Sequence, residues 1–97
     1  METWYLVCYD VADQARLNRI LKFMKEIGIH LQYSVFICRL TWRELGALKE
    51  AIGELIDEEE DDVRIYPLPE NCLVFLLGRA PQSPVDLFEL MRGKVIA

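Results

Sequence analysis

Histidine is nearly absent from this 97-residue chain, which has one, His30. No Cys, Ser or second His is placed to build a recognisable triad or metal cluster with it, so His30 reads as a polar residue at the start of a strand. Cysteine is also scarce. Cys8, Cys38 and Cys72 are too few and too scattered for a disulfide framework or a zinc site. Each lies among apolar residues, as a buried free thiol does, which points to a reducing cytoplasm. No glycine-rich phosphate loop occurs. No apolar run approaches the roughly 20 residues that span a bilayer, so no membrane association is expected. The start, Met1-Glu2-Thr3-Trp4, lacks the basic region of a signal peptide. Positive charge is in deficit: 11 Lys and Arg face 16 Asp and Glu, a net charge of −5. Such a balance argues against indiscriminate binding to nucleic acid.

What the chain has is apolar material. Hydrophobic residues make up 53% of a length that fits one domain. A domain this small buries little of its surface, so either its core is dense or apolar surface remains for a partner, most simply a second copy. The charges are also segregated. Residues 14–43 hold six bases (Arg16, Arg19, Lys22, Lys25, Arg39 and Arg43) against Glu26 alone, and residues 50–62 hold eight acids and no base. One part of the fold can therefore present a positive face despite the negative total.

Residues 4–9 are apolar throughout and read as a central strand buried on both faces, ended by Asp10. Asp13 suits a helix N-cap, Leu17, Ile20, Leu21, Met24 and Ile27 follow at helical spacing, and Gly28 supplies the stop. Residues 29–40 read as extended, with no clear turn signal. Thr41-Trp42-Arg43-Glu44 fits a capping box, and Leu45, Leu48, Ile52, Leu55 and Ile56 form the buried stripe of the helix it opens. The acidic run 57–62 opposes a helix dipole and reads mostly as a loop. Residues 63–68 alternate as a strand closed by Pro67 and Pro69, and residues 72–77 form a continuous apolar strand. The order β-α-β-α-β-β is an α+β pattern. Pro81 and Pro84 make residues 80–97 a tail, separate from a domain spanning 1–79.

Asp10 carries the main chemical expectation. A carboxylate at the end of a buried strand is a poor packing choice. It suits Mg²⁺, a hard ion that prefers oxygen ligands and keeps several waters. Asp is equally at home as a cap or turn residue, and the residues alone leave both readings open. Arg16, Arg19, Lys22 and Arg43 are candidate phosphate contacts or the solvated faces of two helices.

Several segments together resemble the CRISPR-associated protein 2 family. Tyr9-Asp10-Val11 looks like its Tyr-Asp-aliphatic signature, and Asp13 and Arg16 match the acid and arginine that open its first helix. Gln32-Tyr33-Ser34-Val35-Phe36 looks like its Gln-x-Ser-Val-Phe motif. Asp61-Asp62-Val63-Arg64-Ile65-Tyr66-Pro67-Leu68 is similar to its acidic loop and fourth strand. The match runs over residues 4–78 in the right order. Two departures lower the positive charge: the family often has paired arginines where Arg16-Leu17 stands, and Lys or Arg where His30 stands.

The resemblance implies a ferredoxin-like βαββαβ core with an additional C-terminal strand, an antiparallel sheet with helices on one face, and a reversal near Tyr33-Ser34. It places Asp10 at the family's metal-binding and catalytic position, with Mg²⁺ as cofactor, and Tyr9, Ser34 and Phe36 near a dimer cleft. Structural roles for Ser34 and Phe36 rank above direct chemistry. A homodimer is expected, held partly by the strand Cys72, Leu73, Val74, Phe75, Leu76 and Leu77, since a free apolar terminal strand would be an open edge. The leading functional expectation is a subunit of CRISPR spacer acquisition that bridges copies of the CRISPR integrase (CRISPR-associated protein 1) and holds prespacer DNA. Val85, Leu87, Phe88, Leu90 and Met91 of the tail form a candidate integrase contact or a segment that docks on its own dimer. An Mg²⁺-dependent endonuclease acting on RNA or duplex DNA is the alternative, and a toxin-like nuclease outside CRISPR is the third.

Overall fold

The computed structural model describes residues 1–71. They form β1 (Glu2–Asp10), α1 (Gln14–Ile27), β2 (Ile29–Gln32), β3 (Val35–Thr41), α2 (Trp42–Leu55) and β4 (Asp62–Leu68). The strands make one sheet in the order β2-β3-β1-β4, antiparallel at every pairing. This is the ferredoxin-like βαββαβ arrangement. The strand expected over 72–77, the boundary at 79 and the tail lie outside the described residues.

Local chemistry explains the helix limits. The Asp13 carboxylate accepts from the Arg16 N–H at the start of α1. Thr41 and Glu44 form the reciprocal capping box of α2, with Thr41 N–H donating to Glu44 Oε1 at 2.8 Å and Glu44 N–H donating to Thr41 Oγ1 at 3.1 Å. Gly28 does end α1, but for a different reason than a left-handed cap. Its φ of −139° is extended backbone. A Cβ here would lie 2.6 Å from Cys38 Sγ and 3.0 Å from the Ile37 carbonyl oxygen. Glycine is required because β3 passes so close.

Both helices cover the same side of the sheet. The main core joins Tyr5, Val7 and Tyr9 of β1 and Phe36, Cys38 and Leu40 of β3 to Ile20 and Met24 of α1 and Leu45, Leu48 and Ile52 of α2. Side chains alternate across a strand. Trp4, Leu6 and Cys8 therefore point the other way and are only half-buried. The expectation that β1 is buried on both faces thus holds fully on the helix side and only in part on the other. The second face carries its own apolar cluster, with Leu31 and Ile37 at the centre and Trp4, Leu6, Ile29, Val35 and Leu68 around them.

Residues 29–40 divide into two strands at Tyr33-Ser34, the reversal that the resemblance implied. Tyr33 takes φ 37°, the left-handed region where hairpins usually place Gly or Asn. Two neighbours hold this conformation. The His30 Nε2–H donates to the Tyr33 carbonyl. The Tyr9 N–H donates to the Ser34 carbonyl at 3.1 Å. The register of β2 on β3 also shifts between His30 and Gln32, which absorbs the irregular turn.

Candidate functional site

Asp10 is the last residue of β1, and it is exposed. Its place is set from both sides. Tyr9 is buried on the helix side, its ring stacked on Phe36 with centroids 6.2 Å apart, and Phe36 in turn stacks on His30 at 4.4 Å. The Ser34 side chain bonds the Tyr9 hydroxyl; burial raises the Tyr9 pKa and the Ser34 bond opposes that rise. Ser34 and Phe36 thus buttress the residue before Asp10. After Asp10, Val11 is buried and the Ala12 N–H donates to Asp61 Oδ1 at 2.9 Å.

In the strand register Asp10 sits opposite Asp62 of β4. Alternation puts both side chains on the face opposite α1 and α2, the face of the second apolar cluster. Asp62 is engaged by Arg64, with Nε 2.9 Å from Oδ2. The Arg64 pKa is raised, first by a side-chain hydrogen bond with Tyr66 and then by Asp62. Among the described residues no hydrogen bond or ion pair involves the Asp10 carboxylate. Asp10 and Asp62 offer hard oxygen donors of the kind Mg²⁺ takes, one or two carboxylates with waters filling the rest. Among the described residues no three His, Cys, Asp or Glu side chains cluster as metal ligands. Asp10 and Asp62 therefore suit Mg²⁺ in donor type, and a second copy related by a two-fold axis would double their number.

The basic candidates divide into two groups. Arg19, Lys22 and Arg43 are exposed and make no ion pair among the described residues. Arg16 is committed elsewhere. Its Nε lies 2.8 Å from Asp61 Oδ2, and its Nη2 lies 3.1 Å from Asp61 Oδ1 and 3.1 Å from Glu60 Oε2. Asp61 also accepts the Asp57 N–H at 2.8 Å. Its side chain is 0% exposed. The Arg16 hydrogen bond, more than the Asp57 and Ala12 amides, holds the Asp61 carboxyl well below the usual carboxylate range against the cost of desolvation. The acidic run is thus a folded loop closed on α1. Composition did not single out Asp61, although an isolated cationic helix start and an acidic run were available as a complementary pair. Asp62 was likewise hidden, because register cannot be read from one strand alone.

The model of the CRISPR-associated protein Cas2 family matches residues 1–74. The chain belongs to the Cas2 family. It is 56% identical over 86 residues to a protein of Thermodesulfovibrio yellowstonii named CRISPR-associated endoribonuclease Cas2 2, covering 87% of this chain and 94% of that one. It is 41% identical over 75 residues to CRISPR-associated endoribonuclease Cas2 1 of Nitrosomonas europaea, covering 77% and 71% of the two chains. The crystal structure of Streptococcus pyogenes Cas2 superposes with a TM-score of 0.71 at 34% identity, covering 77% of this chain and 99% of that one. As a Cas2 protein the chain is CRISPR-associated. Among the described residues no helix is long and apolar enough to cross a membrane.

Proposed function

We propose that this Cas2 chain works as a homodimer whose two Asp10 carboxylates form an Mg²⁺-dependent phosphodiesterase site within CRISPR spacer acquisition. The observation that carries the reading is an exposed carboxylate, unpaired among the described residues, at the end of the sheet face that bears the second apolar cluster. A two-fold axis beside that face would cover its partly exposed members, Trp4, Leu6 and Leu68, and draw the two Asp10 copies toward one another. A divalent cation held there supplies charge neutralisation at a phosphodiester oxygen and a more acidic attacking water. The protein's own part is positional. Asp10 provides the ligand oxygens, while Arg19, Lys22 and Arg43 hold the nucleic-acid backbone without reading its sequence. The names of the relatives, endoribonucleases, support hydrolysis of the RNA backbone as the first activity to assay.

A second reading is a scaffold that bridges integrase copies and holds prespacer DNA without cutting it. The exposed cations favour it, and so does the small number of metal donors gathered among the described residues. The two readings are compatible in one dimer. Sedimentation at micromolar protomer, combined with a pull-down on the integrase, tests the shared part. A monomer that fails to retain the integrase sinks both. A dimer that retains the integrase, yet leaves RNA and duplex DNA uncut with Mg²⁺, leaves the scaffold alone.

A further inference from the structure

We infer that Asp61 and Arg16 are a positioning pair for Asp10, and that Arg16 acts through this pair instead of contacting phosphate. The inference rests on the proposed role of Asp10. Three residues, Val11, Ala12 and Asp13, separate β1 from α1. Val11 is anchored in the core, and Asp13 is fixed as the N-cap. The Ala12 N–H, two residues beyond Asp10, is held by Asp61 Oδ1. Asp61 also immediately precedes Asp62, the register partner of Asp10. One side chain therefore fixes the segment that follows Asp10 and the strand that lies beside it.

The Asp61 carboxylate is far from being a solvated charge in an acidic run. It is fully enclosed and accepts four N–H bonds, from Ala12, from Asp57 and two from Arg16. A carboxylate is tolerated in such a place only when its oxygens are satisfied. Arg16 is the member of that set that balances its charge, and its side chain is 21% exposed. A phosphate reaching Arg16 would compete with Asp61 and Glu60 for the same N–H groups. Partners that orient a metal ligand without touching the ion govern affinity for the ion by about 10- to 100-fold.

The test uses the full-length dimer with Asp61→Asn, Arg16→Met, Arg16→Lys and Asp10→Ala. Three quantities are read: hydrogen exchange of the Ala12 amide, the Mg²⁺ concentration giving half-maximal cleavage, and the salt dependence of duplex binding. Asp61→Asn and Arg16→Met should each speed Ala12 exchange at least about tenfold and raise the Mg²⁺ midpoint about tenfold, with the salt slope unchanged. Arg16→Lys keeps one charged donor and should recover part of both effects. If Asp61→Asn fails to fold, the Arg16 pair carries the test, because that side chain is partly exposed. Folded variants with wild-type Ala12 exchange and a wild-type Mg²⁺ midpoint overturn the inference. So does a salt slope reduced by about one in Arg16→Met, the sign of a lost phosphate contact. Wild-type cleavage by Asp10→Ala would instead overturn the proposed role of Asp10, and Ala12 exchange would still decide whether Asp61 holds the turn.

Discussion

Phe36→Ala should cost a large share of the stability this small fold has. The ring is 0% exposed and lies between two others, with Tyr9 at 6.2 Å and His30 at 4.4 Å. Truncating a fully buried Phe costs about 3–5 kcal/mol, the lost transfer energy plus the cavity it leaves. A domain of this length has roughly 5–15 kcal/mol in total. With a urea slope of about 1–3 kcal/mol per molar, the midpoint should fall by about 2 M. Because the proposed dimerisation would add to apparent stability, wild type and variant must be compared at one protomer concentration. Phe36→Leu keeps most of the volume and should cost under about 1.5 kcal/mol, with cleavage retained. The reasoning makes this motif residue a buttress for Tyr9 and the Tyr33-Ser34 turn. A Phe36→Ala protein that melts like wild type but has lost cleavage would refute it and move the ring into the chemistry.

Gly28→Ala should cost about 1–3 kcal/mol in thermal or urea melts, because the new methyl meets Cys38 Sγ and the Ile37 carbonyl; a neutral result would show that β3 moves aside freely. Asp61, whose carboxyl is held below the usual range, stabilises the fold above the ordinary Asp pKa near 3.9, and that contribution is lost as pH falls below it. Asp61→Asn should therefore flatten the acid limb of a stability–pH curve, and an unchanged limb would contradict the pairing with Arg16. Burial pushes the Cys38 thiol up to about 11, so it should resist alkylation at pH 8 until the protein unfolds. The unfolded chain loses that proton first, so the same shift makes stability fall as pH rises from the ordinary thiol range toward 11, a slope that Cys38→Ala should remove.

Much of the fold was legible where one residue type has one local use. The Asp13 cap and the Thr41–Glu44 box follow from hydrogen-bond supply and appear as expected. Periodicity placed Ile20, Met24, Leu45, Leu48 and Ile52 in the core; Leu55 is only half-buried, Ile56 is the C-cap of α2, and Ile27 is exposed. The β2–β3 turn was not legible from local signals. Tyr33 stands at a positive φ that sequence rules assign to Gly or Asn, and the contacts that hold it come from His30 and Tyr9. Only the resemblance implied a reversal there. The second face of β1 was only partly legible for a related reason. A continuous apolar strand looks the same whether a helix or a second copy is meant to cover it. At the site, Asp10 stood out because a carboxylate ends a buried strand. Its setting did not, because Asp61 is 49 residues from Ala12 in sequence and its enclosure depends on how the acidic loop closes on α1.

The most direct test of the account is Mg²⁺-dependent cleavage of RNA and duplex DNA by the purified protein, wild type beside Asp10→Ala. Asp10 is exposed, unpaired among the described residues and opposite Asp62, so removing its charge relieves a like-charge cross-strand pair without disturbing the core. The account predicts a variant that stays dimeric, melts at or slightly above the wild-type temperature, and has lost all cleavage that chelation abolishes in the wild type. Cleavage by Asp10→Ala at the wild-type rate, with the same Mg²⁺ dependence, would contradict it.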